Sequence, residues 1–178
     1  MTGETLAWAR GYTIVDSCER RSMAYEQLDP EIGNGLRNAD PTVWPVLDSV
    51  AALYRANRAR LEPHRDHVGM IHYGSAYPKA IAQRVIADMS RNGRVSPAAF
   101  INANAGAALS ICCTRFGFRG PTMNLTMPAA SARPLVDVLA ARWLGQGNAR
   151  YLILVAADFE AAADIQVTST LIRRLDLG

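Results

Sequence analysis

The spacing of apolar positions changes along the chain between two periods. In several long segments apolar residues recur every three or four positions, which is typical of amphipathic helices. Between these segments lie shorter apolar runs rich in β-branched residues, which predict strands. The run YLILVA at residues 151–156 is apolar throughout, as expected of a strand buried on both faces.

These periods assign most of the chain to elements. The predicted strands are residues 5–15, 68–73, 123–127, 151–156 and 167–172, and the predicted helices are residues 40–61, 77–92, 102–116 and 130–144. Residues 17–41 are polar and rich in Asn, Gly, Asp and Pro, which predicts a long loop with one helical turn. Because strands and helices alternate, we expect one α/β domain over residues 1–178, with a mixed, largely parallel sheet of about five strands flanked by helices.

Composition excludes some functions. With 178 residues, 49% apolar and 20% charged, the chain suits a single globular domain. Its net charge is +3, and its basic residues form no block and do not alternate with aromatic residues, so we expect no nucleic-acid binding. No run of about 18 apolar residues occurs, and the N-terminus lacks the features of a secretory signal, so we expect neither a membrane span nor a signal peptide.

The cysteines and histidines offer little chemistry. Cys18, Cys112 and Cys113 are odd in number, which indicates reduced thiols and a cytoplasmic protein. Arginines beside Cys18 would lower the pKa of its thiol, although an unreactive surface thiol is the favoured interpretation. His64 and His67 have the spacing of a metal pair, but no third ligand cluster accompanies them, so we expect no metal and no cofactor. His72, within a predicted strand, is interpreted as a sheet residue with its hydrogen bonds satisfied.

Four motifs occur in an order that is informative as a set. They are VGMIHYGSA at 68–76, VSPAAFINANAGAALS at 95–110, FGFRGPTMNLTMPAASA at 116–132 and LGQGNARYLILVAADFE at 144–160. In this order and spacing the chain resembles the N-terminal half of β-ketoacyl synthases of the thiolase fold, over roughly residues 40–160. Residues 1–40 match only loosely. The resemblance implies the fold of that half.

The same resemblance locates a nucleophile position. In the family, the strand after the Gly-Pro turn runs into a turn of small residues that carries the nucleophilic cysteine, which takes the acyl chain from a carrier protein or coenzyme A. Counting from Gly120 and Pro121, the matching residue is Ala129. The family's two histidines, or histidine and asparagine, belong to a C-terminal half that we expect to be absent, since the chain ends at Gly178.

Condensation therefore is not expected. The reaction needs a thiolate and hydrogen-bond donors aimed at the developing oxyanion, and a methyl group supplies neither. The nearest hydroxyls belong to Thr126 and Ser131, and either would need a base within hydrogen-bond distance to act as a substitute nucleophile. Together with Phe100 and Ala129, these residues are the candidates for contact with an acyl substrate.

The resemblance also implies an interface. In the family, the strand before the nucleophile and the small-residue helix form the dimer contact, which here implies Met123, Leu125, Met127, Ala108 and Cys112. The next helix carries Arg133 and Asp137 four residues apart, so one of its sides is polar. Two interpretations stay open: that side faces water because half of the fold is missing, or its charges pair with another protein.

Three functional hypotheses follow. The first is a non-catalytic ketosynthase-like subunit in fatty acid or polyketide assembly, which pairs as a chain-length-factor-like or scaffold component with an active condensing enzyme or an acyl-carrier protein. The second is an acyltransferase or thioesterase that uses a substitute nucleophile. The third is a homodimeric module that binds an acyl or pantetheine group. A carrier protein is acidic as a rule, which suits the mildly positive charge.

Overall fold

A single mixed sheet organises the molecule. The structure, a computed structural model, describes residues 11–160 and 164–175. In this part of the chain five strands lie in the order β1-β5-β4-β2-β3. Their bounds are β1 Tyr12–Arg21, β2 Val68–Gly74, β3 Thr122–Leu125, β4 Tyr151–Phe159 and β5 Ile165–Arg174. The predicted mixed sheet of about five strands flanked by helices is confirmed.

The helices lie on both faces of this sheet. Their bounds are α1 Pro30–Gly33, α2 Val43–Ala56, α3 Arg58–Leu61, α4 Lys79–Asn92, α5 Pro97–Asn102, α6 Ala107–Phe116 and α7 Ala129–Gly145, with short 3-10 turns at Tyr25–Gln27 and Glu62–His67. Helices α2 and α6 cover one face, and α7 covers the other, so the apolar core has two layers. None of the described helices has both the length and the apolar character needed to cross a membrane.

Half of the strand pairings are parallel. Strand β2 pairs in parallel with β3 and β4, whereas β5 runs antiparallel to both β4 and β1. The parallel share is thus smaller than the alternation of strands and helices predicts. The reason is that only residues 160–164 separate β4 from β5, too few for the crossover that a parallel connection requires.

Several predicted boundaries need correction. Residues 17–21 belong to β1 rather than to a loop, because they pair with β5 from Ser17 opposite Thr170 to Arg21 opposite Gln166. The predicted strand at 5–15 is confirmed from residue 12 onward, and residues 5–10 lie outside the described residues. The predicted helix at 40–61 divides at Asn57, whose side chain donates to the Leu53 carbonyl.

The small-residue helix is also shorter than predicted. The segment 102–116 contains the end of α5, a break, and then α6 from residue 107. In the break, the Asn104 side chain accepts a hydrogen bond from the Gly106 N–H at 2.8 Å. Such a local bond competes with helical hydrogen bonding and favours a turn. The predicted strand at 123–127 ends at Leu125, which leaves Thr126 and Met127 in the connection to α7.

Candidate functional site

The strand-to-helix turn predicted from the sequence is present at one end of the sheet. Strand β3 ends at Leu125, and α7 begins at Ala129 beside the carboxyl ends of β2 and β4. The first N–H groups of a helix have no partner within the helix, so this position offers free donors. It is the place where α/β enzymes position a nucleophile and an oxyanion hole.

In this chain an internal carboxylate occupies the donor at the start of α7. Asp158, near the end of β4, accepts a hydrogen bond from the Ala129 N–H at 3.0 Å through Oδ2. Its Oδ1 accepts a second bond, from the Ser75 N–H, at 2.7 Å. The N–H at the predicted nucleophile position is therefore already bonded to a negative group, and an approaching oxyanion would meet like charge.

Close packing of two strand ends brings Ser75 and Asp158 together. Gly74 has φ +141, and a Cβ at this position would lie 1.9 Å from the Ala157 carbonyl oxygen. Only glycine therefore fits there. The Ser75 Oγ in turn accepts a hydrogen bond from the Phe159 N–H at 3.2 Å, so the ends of β2 and β4 are tied by side chains of both strands.

A tyrosine closes the turn on its other side. The hydroxyl of Tyr77 donates to the carbonyl of Leu125, the last residue of β3. Burial, with a contribution from the Asp158 carboxylate, raises the pKa of Tyr77 to about 12. The phenol thus stays protonated at neutral pH, where it acts as a donor that positions the backbone and not as a base.

Neither predicted hydroxyl has a base. Ser131 and Thr126 are exposed, and within the described residues neither side chain forms a hydrogen bond. His64 and His67 precede β2, at the end of the sheet opposite the turn. His72 lies on the α2 side of the sheet, whereas α7 covers the other side. The structure therefore brings Thr126, Ala129 and Ser131 together without the group that would activate an alcohol.

The thiols are also poor nucleophiles. Burial raises the pKa of Cys112, and it raises that of Cys113 to about 11. The pKa of Cys18 is raised as well, because burial outweighs the Arg20 guanidinium, which donates to its sulfur at 3.0 Å. Arg20 thus lowers the pKa of Cys18, as expected, but burial and the nearby carboxylates raise it more. Within residues 11–160 and 164–175 no group of three or more His, Cys, Asp or Glu side chains could hold a metal ion.

Comparison with known proteins decides the fold. The sequence matches no family model, and no curated protein matches it. Solved structures do match. The ishigamide ketosynthase/chain length factor superposes with a TM-score of 0.67 at 16% identity, covering 88% of this chain and 49% of that chain. The complex of a type II polyketide synthase acyl-carrier protein with its ketosynthase superposes with a TM-score of 0.67 at 11% identity, and the alignment covers 79% of this chain and 49% of that chain.

The fold is that of half a ketosynthase.

A third neighbour is closer to this chain in size. A chain from the complex of a ketosynthase with its chain length factor from Xenorhabdus doucetiae has a TM-score of 0.66 at 10% identity. The alignment covers 93% of this chain and 79% of that one, whereas the chain spans about half the length of the other two neighbours. The resemblance stated from the motifs is thereby confirmed at the level of the fold.

In the half-ketosynthase fold, β3 is an edge strand. It pairs with β2 alone among the described strands, so its other side has no strand neighbour there. Met123 and Leu125 are half-buried and pack towards α7, and Met127 is 39% exposed. Ala108 and Cys112, the other predicted interface residues, are 4% and 0% exposed and lie in the core. Their small size permits close packing on α2. The prediction that they form an interface is therefore corrected: they are core residues.

Sequence reasoning did not single out the second exposed feature. Helices α4 and α5, residues 79–102, form an arm with one buried residue, Ile81. Its large apolar side chains are mostly exposed, at 66% for Ile86, 58% for Met89, 68% for Phe100 and 67% for Ile101. Phe100, predicted to contact substrate, lines a cavity of about 340 Å³ with other residues of α5, α6 and their connection, none of them in the turn.

The charged side chains Arg133 and Asp137 on the polar side of α7 form their hydrogen bonds within the chain. The Arg133 Nε donates to Asp137 at 2.8 Å, and the Tyr12 hydroxyl donates to the same carboxylate at 2.6 Å. The Arg133 guanidinium also donates to the Tyr12 oxygen at 3.0 Å. These charges therefore fasten β1 to α7, and no other protein is needed to explain them.

His72 does not match the expectation of a satisfied sheet residue. It is 2% exposed, and neither ring nitrogen has a hydrogen-bond partner among the described residues. Burial lowers the pKa of His72 to about 4, although the neighbouring Asn124 side chain opposes that shift. The imidazole is therefore neutral at neutral pH.

Proposed function

We propose that this chain is a non-catalytic, ketosynthase-like accessory subunit that pairs with an active condensing enzyme in polyketide or fatty acid assembly. The proposal rests on which groups are present at the strand-to-helix turn between β3 and α7. Ala129 stands at the nucleophile position, and its N–H is bonded to the Asp158 carboxylate at 3.0 Å. Thiolate and free oxyanion donor, the two requirements of the condensation, are both missing there.

Two exposed features support a partner. The open edge of β3 can accept another strand, because β3 has no strand neighbour on its outer side among the described strands. The arm presents four large apolar side chains, which is unusual on the surface of a soluble monomer. Tyr77 links the two features: it lies two residues before the arm, and its hydroxyl donates to the Leu125 carbonyl at the end of β3.

The neighbours make a ketosynthase-type partner reasonable. Two of them belong to complexes: a ketosynthase with its chain length factor, and a ketosynthase with an acyl-carrier protein. The first of these matches this chain over most of the length of both, so a chain of similar size and fold occurs in a ketosynthase complex. By analogy we assign a condensing enzyme as the main partner and an acidic carrier protein as a further one.

Mass spectrometry tests whether the chain reacts with acyl thioesters. The purified chain is incubated with acetyl and longer acyl thioesters of coenzyme A and of a carrier protein, and its intact mass is measured. We expect unmodified protein and no hydrolysis above background. A stable acyl adduct that disappears in Ser131→Ala, or one mapped to a cysteine, would contradict the proposal and support the acyltransferase or thioesterase hypothesis instead.

A further inference from the structure

The end of the sheet opposite the turn is strongly basic. Here β4 begins and β5 ends, and four exposed arginines converge. They are Arg60 of α3, Arg150 just before β4, and Arg173 and Arg174 at the end of β5. The four come from three segments that are distant in sequence, with Arg173 and Arg174 adjacent, so the cluster is a product of the fold and is not visible as a charge block along the chain.

Two adjoining cavities lie within this cluster. The larger, of about 370 Å³, is lined by Thr13, Ile14, Val15, Arg60, Tyr151 and Arg173. The smaller, of about 230 Å³, is lined by Arg150, Tyr151, Arg173 and Arg174. Tyr151 and Arg173 stand opposite each other on β4 and β5 and line both cavities. Among residues 11–160 and 164–175, no carboxylate lines either cavity.

Ion pairing distinguishes Arg60, Arg150 and Arg174 from several other arginines of the described chain. Elsewhere, seven of the described arginines pair with carboxylates, in Arg20–Asp48, Arg21–Glu160, Arg55–Asp29, Arg58–Glu62, Arg65–Glu62, Arg119–Asp66 and Arg133–Asp137. By contrast, Arg60, Arg150 and Arg174 form no ion pair with any residue in the described ranges; Arg60 donates only to the Asn57 side chain, at 3.2 Å. Gathering like charges is unfavourable, and a bound anion would relieve that repulsion.

We propose that this basic end binds the phosphate groups of a small molecule, such as a phosphate or pyrophosphate ester. Guanidinium groups match phosphate oxygens in a two-pronged geometry, and several of them converge here on one concave surface. Beside them, Ile14, Val15 and the Tyr151 ring provide an apolar wall for the organic part of the ligand. The concave shape favours a small ligand over a flat protein surface. The site is separate from the turn, so this inference does not depend on the proposed function.

Titration of the full chain with pyrophosphate and with inorganic phosphate, followed by calorimetry, tests this site. We expect saturable binding of pyrophosphate that weakens about tenfold in Arg60→Gln and in Arg150→Gln, since each removes charged hydrogen bonds. Arg84→Gln is the matched control, because Arg84 is an exposed arginine of α4 without an ion pair to any described residue. It should bind like the parent chain. Circular dichroism confirms that each variant is folded.

Three results would overturn the proposal. One is the absence of saturable pyrophosphate binding at millimolar concentration. Another is equal weakening in Arg84→Gln and Arg60→Gln, which would indicate only attraction to the net charge. The third is binding of an acidic carrier protein that depends on Arg60 and Arg150 while pyrophosphate neither binds nor competes, which would assign the surface to a protein partner.

Discussion

Helices α2 and α4 have the same length but differ in how much of their apolar face is buried. Each has 14 residues and an apolar face, yet α2 buries eight residues and α4 buries only Ile81. The apolar face of α2 lies against β1, β5 and α6, whereas α4 packs mainly on α5. The difference means that an amphipathic pattern predicts a covered face without predicting which chain covers it. Helix α2 is covered from within, and we infer that the arm is covered from outside.

Matched truncations should separate these two helices by their effect on stability. Leu47 of α2 is 0% exposed, and Leu47→Ala is expected to lower the free energy of unfolding by about 3–4 kcal/mol through lost packing and a cavity. Ile86 of α4 is 66% exposed, and Ile86→Ala should change it by no more than about 0.5 kcal/mol. Urea unfolding of the isolated chain measures both. Equal losses would mean that the arm is already packed within the chain.

The next prediction contrasts a buried histidine with an exposed one. Because the pKa of His72 is lowered to about 4 in the folded chain from 6.5, the unfolded chain binds a proton that the folded chain excludes between these values. The contribution of His72 to the free energy of unfolding is fully present above pH 6.5. It falls by about 3 kcal/mol as the pH drops to 4. Unfolding measured across this range should lose that dependence in His72→Leu and keep it in His67→Gln. An unchanged profile in His72→Leu would refute the assignment.

A smaller effect is expected at the turn. Asp158→Ala removes the acceptor of the Ala129 and Ser75 N–H groups. It should lower the free energy of unfolding by about 2 kcal/mol and speed hydrogen exchange at the Ala129 amide. The control is Asp164→Ala, since that carboxylate is 44% exposed and lies 3.5 Å from Arg21, where little stability is at stake. If amide exchange at Ala129 is the same in Asp158→Ala, the carboxylate does not occupy the donor in solution.

Sequence reasoning succeeded where the signals are local. The Gly-Pro turn, the short apolar run and the small residues after it lie next to one another, so the turn at Ala129 was predictable. The acceptor of its N–H was not, because Asp158 lies 29 residues further along the chain. The strand at residues 17–21 was missed for the same reason: its polar sequence resembles a loop until β5 is placed beside it. A stripe of small residues such as Ala108 and Cys112 indicates close packing, but it does not say whether the neighbour is the same chain.

Co-expression with an active β-ketoacyl synthase from the same genome tests the central claim most directly. Size-exclusion chromatography with light scattering then measures whether the two proteins form one complex. We predict a stable complex for the parent chain, its loss in Phe100→Asp on the arm, and its retention in Ile14→Asp, which changes another exposed apolar residue, on β1 at the far edge of the sheet. A chain that elutes without the synthase, or a Phe100→Asp variant that still elutes with it, would contradict the account.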